Sequence, residues 1–589
     1  MNEYLERLKA ALAAEEEFAH NEHKRVSHLS YEDRIAMGQA FPPLYFYRWD
    51  GSDLLLKPRR SRLHDGIQAG DLIHLAPMNK RLDPLNGICT EIEDVVCVRL
   101  DSPPSASQLE SIEKAPLCLS LRFDRRSFEN YQKGLDRAIE IDTPLKNALL
   151  NPHEINTVQI SEPWKDLNLS QSIAAETFLH SSYLSLIHGP PGTGKTHTLA
   201  RIIQRLIQEG ETPWALADSN AAVDNICLAL ARCNIDVLRM GSPFRISKET
   251  WHLSIWSRID CHPQQPAIRK LEKEIRVAKG RDKRDLVREK RRILKQIRNS
   301  IIQEAPVIAN TLGSMSKEAL RVEPTRSAII DEASQITDPA IWSIVPYIQR
   351  LLLVGDPHQL GPVVLSPQKR LKETLLQKKM HDSAAPMLEI QHRMSTPIMS
   401  LVAGIYGSNY TAHPSVAERM LYQSPPIHSN ALTQSSVLWI DTSGAEKGEE
   451  RDPTTRSLFN EVEIEETKRI VSLLRRSNVH EIGIIAPYSA QVQRLRELFP
   501  DIEVNTVNAF QGREKDVIIC SFVRSNAKGE LGFVADRNRL TVALTRAKRL
   551  WIGIGDASTL SYHSHFEALF DQIEGSGGTW ASIWEPMTL

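Results

Sequence analysis

The 589-residue chain has almost no net charge: 72 Lys and Arg stand against 73 Asp and Glu, a formal −1 with histidine neutral. No global field therefore marks it as a binder of nucleic acid. No apolar run reaches the roughly 18 residues of a membrane span. The acidic start, Met1-Asn2-Glu3-Tyr4-Leu5-Glu6, is not a signal peptide. These absences predict a cytoplasmic protein without membrane contact. The seven cysteines, an odd number, are scattered with no C-x-x-C spacing, so neither a disulfide framework nor a zinc or iron–sulfur site is expected. Buried thiols in a reducing compartment are the simplest reading. The length suffices for three or four domains.

What is there is a phosphate cradle. Residues 189–196, Gly189-Pro190-Pro191-Gly192-Thr193-Gly194-Lys195-Thr196, follow the apolar run Tyr183-Leu184-Ser185-Leu186-Ile187 and precede a helical pattern from His197 to Ile203. Such a cradle needs a strand, a glycine loop and a helix start. Backbone N–H groups freed by the glycines point inward, and the helix N-terminus adds partial positive charge. Lys195 is placed to reach the β- and γ-phosphates, and the Thr196 hydroxyl to bind Mg²⁺. The spacing G-x-x-x-x-G-K-T in this context predicts binding of a nucleoside triphosphate.

Upstream, Leu5, Leu8 and Leu12 recur at helical spacing, so residues 1–40 read as an amphipathic helical segment. Leu44–Trp49, Gly70–Leu75 and Val95–Leu100 look like short strands between turns. They predict a small β-barrel of about 80 residues, flanked by helices near 1–40 and 124–150. Tyr45, Phe46, Tyr47 and Trp49 either fill the barrel core or grip a single strand. After the cradle, Trp214–Ala217 reads as a strand ending at Asp218-Ser219-Asn220. There Ser219 and Asn220 either cap the next helix or hold a backbone phosphate. Residues 269–298 carry 14 Lys or Arg against 5 Asp or Glu. With Gly280 between them they predict a basic helical hairpin, either a solvated face or an arm near nucleic acid. The strand Ser327–Ile330 delivers Asp331 and Glu332, one acid to hold Mg²⁺ and the next to orient and deprotonate an attacking water. Another strand, Leu351–Val354, leads to Gln359, a neutral group able to sense a γ-phosphate.

The order of these motifs resembles that of the superfamily 1 helicases of the Upf-like branch, which includes the nonsense-mediated-decay and immunoglobulin-mu-binding helicases. The resemblance runs from about residue 165 to 556. It implies an α/β fold of tandem RecA-like P-loop domains with parallel sheets, at 161–375 and 376–572, that sandwich ATP. The first would carry the basic helical insert, at about 246–304. The N-terminal helices and barrel would occupy 1–160, and Gly575-Ser576-Gly577-Gly578 would open a flexible tail at 573–589. Gln171 would then read adenine and Gln359 couple the two domains. Arg393, in Gln391-His392-Arg393, and Arg546, in Thr545-Arg546-Ala547, would meet the γ-phosphate from the second domain, Arg546 as the arginine finger. Either arginine is otherwise a surface ion pair. Gly512 would lie by the phosphates and Glu514 on a ribose hydroxyl. Strand contacts would fall at Ser219, Asn220, Thr311, Pro487, Tyr488 and Thr506. His392 stands where the family usually has tyrosine, and Asn508 where it has aspartate. The implied activity is that of a monomeric motor using ATP and Mg²⁺ to travel along single-stranded DNA or RNA, 5′-to-3′ by the branch. The alternative is a nucleic-acid-stimulated ATPase that remodels protein–nucleic-acid complexes without appreciable unwinding. The joint presence of Lys195, Asp331, Glu332, Gln359, Arg393 and Arg546 argues against a binding module whose hydrolysis is vestigial.

Overall fold

The computed structural model describes residues 2–50, 53–59, 63, 66–78, 84–152, 154–318 and 324–584. Strands β1 (Leu44–Asp50), β2 (Asp53–Pro58), β3 (Leu72–Pro77), β4 (Leu85–Ile92), β5 (Val96–Leu100) and β6 (Leu117–Leu121) close into an antiparallel barrel in the order β1-β2-β5-β4-β3-β6. Its core gathers Leu54, Leu56, Ile73, Leu75, Val96, Val98, Leu117 and Leu119. The four aromatics divide between the two faces. Phe46 and Trp49 pack against the core. Tyr45 and Tyr47 stay outside it, with the cations of Arg59 and Lys57 4.2 and 4.1 Å from their ring centroids. Strand alternation, reset by a bulge between Phe46 and Arg48, produces this division.

The barrel is carried by helices that belong energetically to the next unit. Helix Asn2–Ser27 packs along helix Arg126–Glu140. Its Leu5, Leu8 and Leu12 enter the core under the first parallel sheet. The Glu15 carboxylate accepts the N–H groups of Leu365 and Ser366 at 2.8 and 2.9 Å, which fixes the stalk to the segment beyond that sheet's last strand in sequence.

The first parallel sheet contains β7 (Leu184–His188), β8 (Trp214–Ala217), β9 (Leu238–Arg239), β10 (Ile308–Thr311), β11 (Thr325–Ile330) and β12 (Ile348–Gly355), ordered β7-β12-β11-β8-β10-β9. The second half opens on a short parallel pair, β13 (Ile390–Gln391) and β14 (Thr411–Ala412). β15 (Val437–Asp441) begins the second sheet, and an antiparallel ribbon of β16 (Glu450–Arg451) and β17 (Leu458–Phe459) follows. β18 (Ile482–Ile485), β19 (Glu503–Asn505), β20 (Lys515–Ser521), β21 (Ala547–Gly555) and β22 (Thr579–Ser582) complete that sheet in the parallel order β19-β18-β20-β21-β15-β22. Separate apolar clusters cover both faces of each sheet. That is why the strands are continuous hydrophobic runs rather than alternating ones.

The expected tail from 573 is corrected at its start. Helix Ser564–Gly575 ends in a turn through Gly577, at φ 72°, and residues 579–582 pair in parallel with Leu438–Asp441. Trp580 lies against Trp439 and Phe570, with ring centroids 5.9 and 5.3 Å away. The four-residue strand is held by these partners, and residues 585–589 lie outside the described residues. The basic stretch forms two helices, Gln265–Val277 and Gly280–Glu304, packed as a hairpin. Ile268, Ile297 and Ile301 root it in the first core. Among the described residues no helix is long and apolar enough to cross a membrane. The cysteines depart from uniform burial: Cys261 is exposed.

Candidate nucleotide site and strand path

The chain leaves β7 through the glycine loop and enters helix Lys195–Gln208. Two glycines there are required. Gly192 has φ 74°, and a Cβ on it would stand 2.8 Å from Arg393 Cβ. Gly194 has φ 79° and caps the helix, with Gln171 Nε2 2.8 Å from the place of a Cβ. Gln171 itself is 5% exposed and hydrogen-bonded at both its nitrogen and its oxygen. Its Nε2 donates to the Thr193 carbonyl at 2.9 Å and its Oε1 accepts from the Asn168 N–H at 3.0 Å. The reciprocal capping of helix Leu169–His180 by Asn168 and Gln171 holds the amide in place, where it braces the loop.

Lys195 Nζ donates to the Gly189 carbonyl at 2.8 Å, and Thr196 Oγ1 lies 3.4 Å from Asp331 Oδ2. These two oxygens are hard donors of the kind Mg²⁺ takes. Burial, and then the neighbouring Glu332, push the Asp331 carboxyl above its ordinary range, against the pull of Lys195. A buried carboxylate with a second acid beside it and a hydroxyl within 3.4 Å fits a divalent ion. Glu332 holds a left-handed φ of 53°, a strained setting for a non-glycine residue, and its Oε2 accepts from Gln335 at 3.2 Å.

The second half closes directly on this loop. The His392 N–H donates to the Gly192 carbonyl at 2.8 Å, and Asn538 Nδ2 to the Gln359 carbonyl at 2.7 Å. Gln359 donates to Asp356 at 2.8 Å and accepts from Arg546 Nη2 at 3.4 Å. Burial, and then the like charge of Arg393, pull the Arg546 guanidinium down to about 9. Arg546 is buried at 2% exposure and is no surface ion pair, whereas Arg393 is half-buried and does form an ion pair. Arg393 donates to Glu514 at 2.5 Å and to the Thr545 carbonyl at 3.0 Å, while Lys548 stands 3.1 Å from the other Glu514 oxygen. Burial opposes the Glu514 charge, yet Arg393 and Lys548 together hold its carboxyl below the usual range. Glu514 is thus engaged by cations, not presented to a ribose, and Gly512 lies exposed at φ 77°. The His392 ring stacks on His413 with centroids 4.4 Å apart.

Two residues in this cleft escape a reading of the sequence. Tyr406, at the end of helix Thr396–Tyr406, donates to Asp356 Oδ2 at 2.7 Å. Tyr410 donates to the Pro191 carbonyl of the glycine loop, also at 2.7 Å. Both are buried, with rings 4.9 Å apart, and they tie the second half to the cradle and to the acid that orients Gln359. Two tyrosines in an apolar helical stretch read as core; only their distant partners reveal more.

At the carboxyl ends of the strands the expected strand contacts form two groups. Thr311 is level with Ala217 in the parallel register, which brings it near Ser219 and Asn220. Their side chains are partly committed. Ser219 Oγ caps its helix at the Ala222 N–H, Asn220 Oδ1 accepts from Arg239 at 3.0 Å, and Thr311 is 9% exposed. Ile485 is level with Asn505, which brings Pro487 and Thr506 together. Tyr488 requires a correction. As the residue before helix Ser489–Leu498 it turns into the second core, 8% exposed, and its hydroxyl accepts from Arg524 at 3.2 Å.

Two parallel six-stranded sheets, one leading into the glycine loop and the other adjoining the facing Arg546, define a P-loop nucleotide-binding protein of tandem RecA-like units. Family models described as AAA domain match residues 166–282 and 269–367, and a further one matches 369–558. Over 499 residues the chain is 35% identical to DNA polymerase alpha-associated DNA helicase A of Saccharomyces cerevisiae, covering 74% of this chain and 73% of that one. Over 443 residues it is 31% identical to DNA-binding protein SMUBP-2 of Mus musculus, covering 70% of this chain and 45% of the relative. The chain belongs to the superfamily 1 Upf-like helicases. It spans less than half of the SMUBP-2 relatives from mouse, hamster and rat, 45% of each. Among solved structures it is similar to arterivirus nonstructural protein 10 (helicase), with a TM-score of 0.41 at 14% identity, covering 89% of this chain and 79% of that one.

Proposed function

We propose that the chain is a monomeric ATP-dependent helicase or translocase that travels 5′-to-3′ along single-stranded DNA or RNA in the cytoplasm. Its motor domains would be 161–375 and the segment from 376, with 1–160 as accessory unit. One observation carries the reading: Arg546, from the second sheet's side, hydrogen-bonds Gln359 at the end of the sheet that holds Lys195, Asp331 and Glu332.

The chain's own residues supply the mechanism. Lys195 and the loop amides bind the β- and γ-phosphates, and Glu332 takes the proton of the attacking water. Mg²⁺ held by Thr196 and Asp331 would neutralise charge on the phosphate oxygens. Arg393 exchanges Glu514 for the γ-phosphate, which releases that carboxylate towards a ribose. Without a terminal phosphate the neighbouring cations Arg393 and Arg546 repel each other and oppose tight closure. A triphosphate offsets that repulsion and its hydrolysis restores it, so the cleft closes and opens with each turnover. A strand laid over the carboxyl ends of both sheets is gripped and released in step. Contacts to its phosphates carry no sequence information, so binding is sequence-tolerant and salt-sensitive.

Steady-state ATP hydrolysis with and without single-stranded DNA or RNA, alongside displacement of tailed duplexes, tests this. Stimulated hydrolysis and displacement from 5′-tailed duplexes are expected. Stimulation without displacement would favour remodelling of protein–nucleic-acid complexes, and hydrolysis indifferent to both nucleic acids would end the motor reading. The hairpin has its own test. Arg288, Arg291 and Arg292 are all exposed at its surface, and Arg288 and Arg292 pair with Asp285 and Glu289 along the helix at 3.2 and 2.6 Å. Replacing Arg288, Arg291 and Arg292 with alanine should weaken strand binding and flatten its salt dependence by about 0.7 in log–log slope for each phosphate no longer neutralised. An unchanged slope would leave the hairpin a solvated face.

A further inference from the structure

The aromatic surface beside Pro487 and Thr506 belongs to Phe533, not to Tyr488. Phe533 sits in a short 3-10 turn, Gly532–Ala535, that begins at a glycine with φ 58°, and it is 40% exposed. Tyr488 supports it from below, with centroids 4.6 Å apart at 49°. That support is itself fixed, because Arg524 holds the Tyr488 hydroxyl and is in turn held by Glu449 at 2.7 Å. The guanidinium of Arg539 lies over the Phe533 ring, 4.9 Å from its centroid. Beside the ring opens an apolar hollow of about 50 Å³, bordered by Pro487, Thr506, Asn508, Phe533 and Arg539.

We infer that Phe533, with Arg539, forms a stacking site for one unpaired nucleobase of the bound strand, which deepens the helicase reading above and rests on it. The base lies on the exposed ring, beside the hollow. Arg539 now covers the face that the base would take. The carboxylate nearest to it, Asp536 at 3.9 Å, already accepts the N–H groups of Asn538 and Arg539 as a helix cap. The displaced guanidinium therefore remains available to the adjoining phosphate. A ring that is partly exposed, rigidly backed and next to a cation is the equipment that sequence-tolerant strand binders use, since every base has a π-face. The position also couples to the motor: Arg539 lies in helix Arg537–Leu544, which ends two residues before Arg546. The strand's base and the nucleotide's terminal phosphate thus act on one short segment.

The test compares binding of fluorescent single-stranded oligonucleotides, and of the same backbone with abasic sites, to the full chain and its variants. Phe533→Ala should weaken binding of the base-bearing strand by about 5- to 150-fold, the range that loss of one stacked base gives. Phe533→Leu, which keeps an apolar cover on Tyr488, should lose as much, and Phe533→Trp should restore affinity. The salt slope and the hydrolysis rate without strand should stay as in the unmodified protein, because the ring carries no charge and touches no phosphate of ATP. On the abasic strand all four proteins should bind alike. Equal affinity of Phe533→Leu and the unmodified protein for the base-bearing strand would overturn the site. So would an equal loss on the abasic strand. An unmodified protein that bound neither strand would instead overturn the helicase reading, and this site with it.

Discussion

Glu332→Gln should lower ATP turnover by about 10²–10⁴-fold, the span a positioned general base contributes, while ATP still binds. The amide keeps the size of the carboxylate and can still accept from Gln335, but it cannot take a proton from water. Thr196 and Asp331, the pair suited to the metal, are untouched. Removing the charge next to buried Asp331 also relieves one of the causes that push its carboxyl up, so the metal-binding acid ionises more readily. Equilibrium binding of a fluorescent ATP analogue and steady-state hydrolysis, measured on the same preparation, check both halves of the expectation. Normal turnover in the variant would move the role of base to another residue.

Arg546→Ala should cut turnover by about 10³–10⁵-fold, the worth of an arginine brought to a transferring phosphoryl group, and leave strand affinity within a few-fold. The residue is 2% exposed, hydrogen-bonded to Gln359, and lies within reach of the charges of Arg393 and Glu332. Truncation opens a hole as well as deleting a charge, so Arg546→Lys is the necessary companion. Lysine restores the charge and much of the volume without the planar fork, and should recover only part of the rate. Equal losses of turnover and of strand affinity in both variants would assign Arg546 to the fold of the interface.

The parts of this site that are legible in the sequence are local. The glycine loop, the acids at the end of β11 and Gln359 after β12 are each announced by an apolar strand and a turn within ten residues. In both sheets the carboxyl ends of the strands then carry the residues expected there. What could not be read depends on partners far along the chain. Tyr410 meets Pro191 across 219 residues of sequence, and Arg393 meets Glu514 across 121. Neither pairing leaves a periodicity. Gln171 and Tyr488 show the opposite hazard. Each sits where a ligand contact is expected, yet helix capping occupies the first and core packing the second. The strand at 579–582 was hidden because four residues after a glycine run look like a loose end until Trp439 and Phe570 are placed beside Trp580.

The split cleft is most directly tested by the single-strand affinity of Glu332→Gln with ATP, with ADP and without nucleotide. If the terminal phosphate joins the two halves and their joining changes the grip, affinity with ATP should differ from that with ADP by at least about tenfold, ~1.4 kcal/mol of coupling. The strand should then alter the affinity for ATP relative to that for ADP by the same factor. Equal strand affinity in all three states would mean that Arg393 and Arg546 meet the nucleotide without moving the strand.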